Sequence, residues 1–363
     1  MNKRVYIIGA GASVAKPYGL PTLKSFAREL YKSFDADGRQ AMTETVFQAF
    51  SFDMSAEPKK LIDVEELFNR LNPSALGYLP PPSSATRTSR IWTPKDLEEK
   101  ISVFLDARCR KLSELEGPYD RLVKGIGDDT SFISFNWDVL LETALRRQKR
   151  QYTYLDDNTD EYNWVNRPKT TFPNTTTVLK PHGSVNWVAV LDREGMRVDV
   201  GSTSNVYPMV PFGEYRMFHR KNPTGPLNFG DTEEHVVERI GSKPAIVPPG
   251  TARRLSPGGR TRDEWVDDGH TAWMKAIWRN IETKLTEAAE IVIIGYSLPG
   301  TDLASIEMLR RCLSPRAGVD TKRVRLVDRN AKLVKRYRRI LGTEVEYLGD
   351  DFAKFDPGQL KTT

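Results

Sequence analysis

Apolar positions along this chain change rhythm in a regular way. Residues 4 to 8 are a short run of strand formers, and a helical pattern with apolar residues three and four apart follows from about Thr22 to Phe34. Between about 39 and 125 the spacing stays helical in the stretches Gln40–Phe50, Asp63–Leu71 and Pro94–Leu115, interrupted at Leu79–Thr88 by a proline and serine cluster that reads as an exposed loop. The strand rhythm returns at Ser131–Phe135, before a helix to about Arg147, and again at Thr177–Lys180 and Ala245–Pro249. From about Val185 to Lys243 the chain is rich in Gly, Pro, Asn and aromatic residues with weak periodicity, as in an irregular or partly β insertion. The C-terminal third alternates most clearly: helix His270–Ala289, strand Ile291–Ile294, helix Asp302–Leu313, strand Val324–Val327, helix Ala331–Leu341 and strand Val345–Leu348.

Strands alternating with helices of this length predict an α/β fold, a Rossmann-like parallel sheet with helices on both faces. The expected organisation is a discontinuous domain of residues 1–38 and 126–357, carrying the irregular insertion at about 185–243, with 39–125 as a mostly helical module. Ligands of such sheets sit beyond the carboxyl ends of the strands, so the residues right after each strand matter most.

Composition narrows the class. At 363 residues, 39% hydrophobic and 28% charged, the chain is long enough for a substantial core and reads as soluble and globular. No apolar run approaches the ~20 residues that span a bilayer, and the stretch after Met1–Arg4 is too short for a signal peptide. The two cysteines, Cys109 and Cys312, lie far apart and build neither a disulfide framework nor a thiolate zinc site, which predicts a reduced, cytoplasmic protein. Basic residues number 54 against 48 acidic, a net charge of +6. The densest basic stretches, Arg146–Arg150, Arg253 to Arg262 and Lys335–Arg339, read as solvated helix faces or loops more readily than as a polyanion site.

Five strand ends carry chemistry. Gly9-Ala10-Gly11-Ala12-Ser13 combines small residues with the start of a helix, either a cradle for a pyrophosphate or an ordinary tight turn, and it lacks the third glycine of the common dinucleotide fingerprint. Thr22, after Gly19-Leu20-Pro21, is a candidate helix cap. Asn136-Trp137-Asp138 follows an apolar strand, as site residues or as helix caps. Lys180-Pro181-His182-Gly183-Ser184 holds a histidine off any apolar face, where a near-neutral pKa permits proton transfer. Gly295-Tyr296-Ser297-Leu298-Pro299 allows close backbone approach and offers a hydroxyl, with Thr301 or Asp302 as a cap of the next helix. Asp328-Arg329-Asn330 sets a carboxylate where ribose hydroxyls could donate to it. Together they place phosphate, ribose and proton-transfer chemistry on one edge of one sheet.

In this order, Gly-Ala-Gly-Ala-Ser at 9–13, Phe-Asn-Trp-Asp at 135–138, Lys-Pro-His-Gly-Ser at 180–184, Val-Pro-Pro at 247–249 and Gly-Tyr-Ser-Leu-Pro at 295–299 resemble the sirtuin superfamily. The likeness is to its bacterial sirtuin-like branch, which lacks the zinc module and hydrolyses NAD in anti-phage defence. The resemblance implies that Gly9, Gly11 and Ser13 line the phosphates, with Ala10, Ala12, Thr22 and Gly295 in the same NAD site. It further implies that Asn136 and Asp138 sit near the nicotinamide ribose and carboxamide, that His182 is the base, and that Ser297 and Asp328 contact the adenosine ribose. The paired Cys-x-x-Cys ligands of deacylating sirtuins are absent, and Thr22 stands where that class continues Asp-Phe-Arg; both disfavour peptide deacylation. Phe212-Gly213-Glu214 echoes a deacylase groove motif but precedes no zinc module.

The expected activity is therefore cleavage of the nicotinamide–ribose bond, with NAD as substrate and no metal. A cell must restrain such an enzyme, so control by homo-oligomer assembly or a partner is expected; the resemblance suggests a HerA-like ATPase, an Argonaute-type nucleic-acid sensor or a phage component. The rival readings are a sensor that binds NAD or ADP-ribose without turnover, a deacylase, and a nucleic-acid-binding module whose retention would fall steeply with salt.

Overall fold

The computed structural model of the chain describes residues 3–57, 60–71, 91–154, 175–190, 206–208, 216–220, 232–236, 242–246, 270–315, 322–349 and 351–360. Strand β1 (Arg4–Ile8) leads into the short helix α1 (Ala10–Val14), then α2 (Leu23–Ser33), α3 (Ala36–Phe50), α4 (Val64–Leu71), α5 (Pro94–Leu112) and α6 (Pro118–Gly125). Next come β2 (Thr130–Ser134), α7 (Leu140–Arg147), β3 (Tyr152–Thr153), β4 (Thr176–Leu179) and β5 (Gly183–Val190). Short strands β6 (Val206–Pro208), β7 (Arg216–Arg220), β8 (Thr232–Val236) and β9 (Ser242–Ile246) follow. The chain closes with α8 (His270–Glu287), β10 (Glu290–Ile294), α9 (Leu303–Leu313), β11 (Arg323–Val327), α10 (Leu333–Leu341) and β12 (Val345–Gly349).

Seven strands form one sheet in the order β12-β11-β10-β1-β2-β4-β3, every pair parallel. This is the expected α/β architecture. Strands β2 and β10 are buried at every residue and β1 at all but its first, as in a sheet covered on both faces. From β1 the chain adds β2, β4 and β3 on one side and later β10, β11 and β12 on the other, so the order reverses between β1 and β10. Because all seven run parallel, the loops after β1, β2, β4, β10 and β11 share one edge, beside that reversal.

Local chemistry explains the element boundaries. Helix α5 begins at a capping box, in which Thr93 Oγ1 accepts the Asp96 amide at 3.2 Å and Asp96 Oδ2 accepts the Thr93 amide at 2.8 Å. It stops at Leu112, three residues before the expected Leu115, where Ser113 Oγ turns back to the Arg110 carbonyl at 2.7 Å. Two features matter for the site. Helix α1 starts directly at Ala10, so the glycine segment is itself the start of a helix, and the insertion expected to be irregular or partly β opens with β5, which pairs antiparallel with β6 and β9. Strands β7 and β8 form a separate antiparallel pair. The cluster at Leu79–Thr88, Phe212–Glu214, Val247–Pro249 and the basic stretch from Arg253 to Arg262 lie outside the described residues. Among those described, no helix is long and apolar enough to cross a membrane.

Candidate active site

The loops at the sheet edge surround a cavity of about 600 Å³, within the ~300–1,000 Å³ typical of small-molecule sites. Its walls include Ala10, Gly11, Ser13, Thr22, Asn136, Asp138, His182, Gly295, Ser297 and Asp328, so ten of the twelve residues picked from sequence meet there. Gly9 and Ala12 do not line it. They stand behind the wall, where a Cβ built on Gly9 would come within 2.4 Å of Tyr296 Cα. A Cβ on Gly295, at φ +62°, would fall 2.2 Å from the Ala12 nitrogen. The glycines thus let the β1 and β10 loops touch, and Gly11 N–H donates to Gly295 O at 2.8 Å.

After β2, the Asn136 side chain is fixed by its own donors. Its amide Nδ2 donates to Gly9 O at 3.1 Å and to Ser13 Oγ at 3.0 Å, and Tyr119 OH lies 3.4 Å away. Ser13 Oγ in turn donates to Asp138 Oδ2 at 2.7 Å, so the Tyr119 hydroxyl, 3.0 Å from Ser13 Oγ, is left to donate to it. This chain spends the Asn136 donors and leaves its Oδ1 buried with no partner among the described residues. Asp138 is itself engaged on both oxygens, since Oδ1 accepts the Leu140 amide at 3.1 Å at the start of α7. Burial raises the Asp138 pKa, opposed by the Lys180 charge and the Ser13 hydrogen bond.

Lys180 is a brace. Its fully buried ammonium donates to Asp138 O at 2.5 Å, Glu142 Oε1 at 2.9 Å and Ser184 Oγ at 2.7 Å, spending all three protons. It thereby ties the ends of β2 and β4 to α7.

His182, at 3% exposure, meets a partner that sequence reasoning read only as a helix cap. Its Nε2 lies 2.9 Å from Asp302 Oδ2, while Asp302 Oδ1 accepts the Ser305 amide at 3.2 Å and caps α9. Tyr296 OH also donates to Asp302 Oδ2, at 2.8 Å, and the Tyr296 ring stacks on Phe135 at 4.2 Å. With Nε2–H directed at the carboxylate, the neutral tautomer carries its lone pair on Nδ1, which has no partner among the described residues. Burial pulls the imidazole pKa down, but the charge and hydrogen bond of Asp302, with Glu65, carry it above the ordinary value. The Asp302 pKa is lowered: burial would raise it, and His182 outweighs that.

On the far wall the β10 loop turns at Leu298, a buried residue at φ +54° whose carbonyl accepts from the Arg336 guanidinium of α10. A leucine in the left-handed region costs about 1–2 kcal/mol, a strain typical of functional loops. Ser297 is exposed to the cavity mouth, and Asp328 Oδ1 accepts the Asn330 amide at 2.8 Å. Burial raises the Asp328 pKa. Thr22 caps α2, donating its backbone N–H to Ser25 Oγ at 3.0 Å. Among the described residues no three His, Cys, Asp or Glu side chains gather as a metal site. Sequence reasoning gave no role to two further residues of the wall: Tyr296, within the turn it singled out, and Glu65, which lies in a helix and not in a strand-end turn.

Comparison with known proteins gives one local match. Residues 130–205 match the model of the SIR2-like domain, a stretch that contains Asn136, Asp138 and His182. A solved structure described as "Structural Basis for the Mechanism and Regulation of Sir2 Enzymes" aligns with a TM-score of 0.33 and 10% identity, covering 97% of this chain and 88% of that one. No curated protein matches the chain.

Proposed function

We propose that the chain binds NAD in this cavity and hydrolyses its nicotinamide–ribose bond to nicotinamide and ADP-ribose. The observation that carries the reading is the buried His182–Asp302 pair opening on the same cavity as Asn136 Oδ1, which has no partner among the described residues, with His182 and Asn136 both inside the stretch that matches the SIR2-like domain. A pure binder needs no oriented base, and this histidine has one nitrogen held and the other left as acceptor.

Nicotinamide leaves as a neutral molecule because its ring nitrogen starts cationic, so cleavage needs no acid. It needs positioning, stabilisation of an oxocarbenium-like sugar, and removal of a proton. Asn136 Oδ1, its amide donors spent, accepts a hydrogen bond from the attacking water and turns the water's oxygen toward C1′. His182 Nδ1 takes a proton from that water or from a ribose hydroxyl, and Asp302 stabilises the imidazolium that results. Asp138 acts as a positioning residue, holding Ser13 and through it the Asn136 amide beside the carboxamide end. Gly9, Gly11 and Ser13 shape the bend in which the pyrophosphate lies, while Ser297 and the remaining acceptor of Asp328 meet the adenosine ribose. NAD depletion of this kind fits an effector of bacterial anti-phage defence, held in check by assembly or a partner, with the helical stretch 39–125 as the regulated module.

The test is to incubate purified wild type and His182→Ala with NAD and measure release of nicotinamide and ADP-ribose. Release that requires His182 supports the reading. Release at the wild-type rate from folded His182→Ala would reject the assignment, and binding of ADP-ribose without any release would favour the sensor.

A further inference from the structure

The cavity holds a carboxylate that no strand end supplies. Glu65 stands in the first turn of α4, is 5% exposed, and lines the cavity with His182, Thr301 and Asp302. Of the other carboxylates on that wall, Asp63 caps α4 by accepting the amides of Glu65 and Glu66 at 3.0 and 3.4 Å. Asp138, Asp302 and Asp328 each accept at least one backbone amide, as described above. Glu65 accepts only the Thr301 hydroxyl, 2.8 Å from its Oε2, among the described residues.

Buried acids elsewhere in the chain have cations. Asp120 pairs with Arg147 at 2.6 Å, Glu142 with Lys180 at 2.9 Å, and Glu290 with Arg4 and, at 2.7 Å, with Arg325. Glu65 has no lysine or arginine partner among the described residues. A buried carboxylate held by one hydroxyl, with no lysine, arginine or amide donor, is costly to the fold, so its place at the cavity wall beside His182 is better explained by chemistry than by stability. Burial raises its pKa to about 7, opposed by His182 and the Thr301 hydrogen bond, with Asp63 and Asp302 adding to the rise. Such a group gains and loses a proton near neutrality.

We infer that Glu65 is a catalytic residue of the proposed hydrolysis, taking the proton of the attacking water while His182 serves a ribose hydroxyl. The inference rests on the NAD-hydrolase reading above and divides its labour. His182 has Nε2 committed to Asp302, and its one remaining nitrogen cannot meet both water and hydroxyl. Water-activating bases in glycoside hydrolysis are carboxylates, and Glu65 is the carboxylate on this wall that accepts no backbone amide among the described residues and lines it beside His182. In the step, one O–H bond of water breaks and its proton goes to Glu65, while the water oxygen bonds to C1′. The C1′–N bond breaks with its electron pair going to the ring nitrogen. Glu65 then returns the proton to solvent, so NAD and water become ADP-ribose, nicotinamide and a proton.

The experiment compares full-length wild type, Glu65→Gln and Glu65→Ala in single-turnover NAD hydrolysis, with ADP-ribose affinity by calorimetry and with sodium formate added to Glu65→Ala. Glutamine keeps the size of the side chain and an acceptor for Thr301, so a merely structural strap would survive it. The expected result is a loss of ~10²–10⁴-fold in rate for Glu65→Gln, unchanged ADP-ribose affinity, and partial rescue of Glu65→Ala by formate. Wild-type turnover in Glu65→Gln, a matching loss of ADP-ribose affinity, or failure of formate would each overturn the assignment. An active wild type beside an active Glu65→Gln removes Glu65 alone. A wild type that binds ADP-ribose but releases no nicotinamide removes the hydrolase reading and this inference with it.

Discussion

Replacing Asp302 with asparagine removes the charge of the His182–Asp302 pair: its one oxygen can keep the Ser305 amide, while its NH2 group takes the place of the oxygen that accepts from Tyr296 OH and His182 Nε2 and can only donate there. The two side chains are 3% and 1% exposed and 2.9 Å apart. Breaking a buried pair by removing one partner typically costs ~3–5 kcal/mol, and because His182 can shed its proton the loss should fall toward ~3 kcal/mol. The sign follows from the two shifts. His182 has a raised pKa, so its share is complete below the ordinary 6.5 and disappears as pH rises through the folded value. Asp302 has a lowered pKa, so its share is complete above the ordinary 3.8 and disappears as pH falls through its folded value. The stability gap between wild type and Asp302→Asn is therefore widest between about 3.8 and 6.5 and narrows on either side. In catalysis the variant loses the influence that raises His182, so the acid limb of kcat/KM moves to lower pH, while the plateau drops by ~10²–10⁴-fold. Thermal melts across pH and NAD hydrolysis across the same range read both effects. An unmoved acid limb together with a gap that does not vary with pH would refute the reasoning.

Other substitutions probe the supports of the site. Gly295→Ala forces a side chain into φ +62° and against the Ala12 nitrogen, so the melting temperature should fall by the equivalent of ~1–2 kcal/mol or more; an unchanged melt would show that the two loops do not touch. Lys180→Met strands Glu142 at 1% exposure and should cost ~3–5 kcal/mol in urea unfolding, with Glu142→Gln recovering part of it. No recovery in the double variant would mean that the ion pair is not the cause. Tyr119→Phe removes the hydroxyl 3.0 Å from Ser13 Oγ, a loss of ~0.5–1.5 kcal/mol; it should lower kcat with KM held, and a change confined to KM would contradict its part in fixing Asn136.

The sheet was largely legible in the residue pattern because its strands are buried runs flanked by helices. The Ile291–Ile294 and Val324–Val327 runs sit within β10 and β11, each of which begins one residue earlier. The pattern put α6 inside the mostly helical stretch 39–125 without marking it as a helix of its own, its eight residues being too short a window for the period to show. It read Val185 onward as irregular or partly β without marking a strand there, and β5 runs from Gly183 to Val190 and pairs across to β9. Antiparallel pairing at that distance depends on contacts far along the chain, which a local period does not record.

The site separates into what strand ends reveal and what only folding assembles. Parallel strands end at one edge, so a polar turn after an apolar strand is already a candidate, and that logic is enough to gather Asn136, His182, Ser297 and Asp328. It has no access to pairs. Asp302 looks like a helix cap in sequence and is one, yet its second oxygen holds a histidine 120 positions away. The glycines at 9 and 295 look like room for a phosphate, while their nearest demand is the contact of two loops. Glu65 gives no signal at all, being an acid in the first turn of an amphipathic helix, where such residues are ordinary. Its meaning comes from α4 laying that turn over His182 and Thr301, which ties the helical stretch between β1 and β2 to the chemistry of the sheet edge. A displacement of α4 would then move a carboxylate of the cavity without touching any strand end.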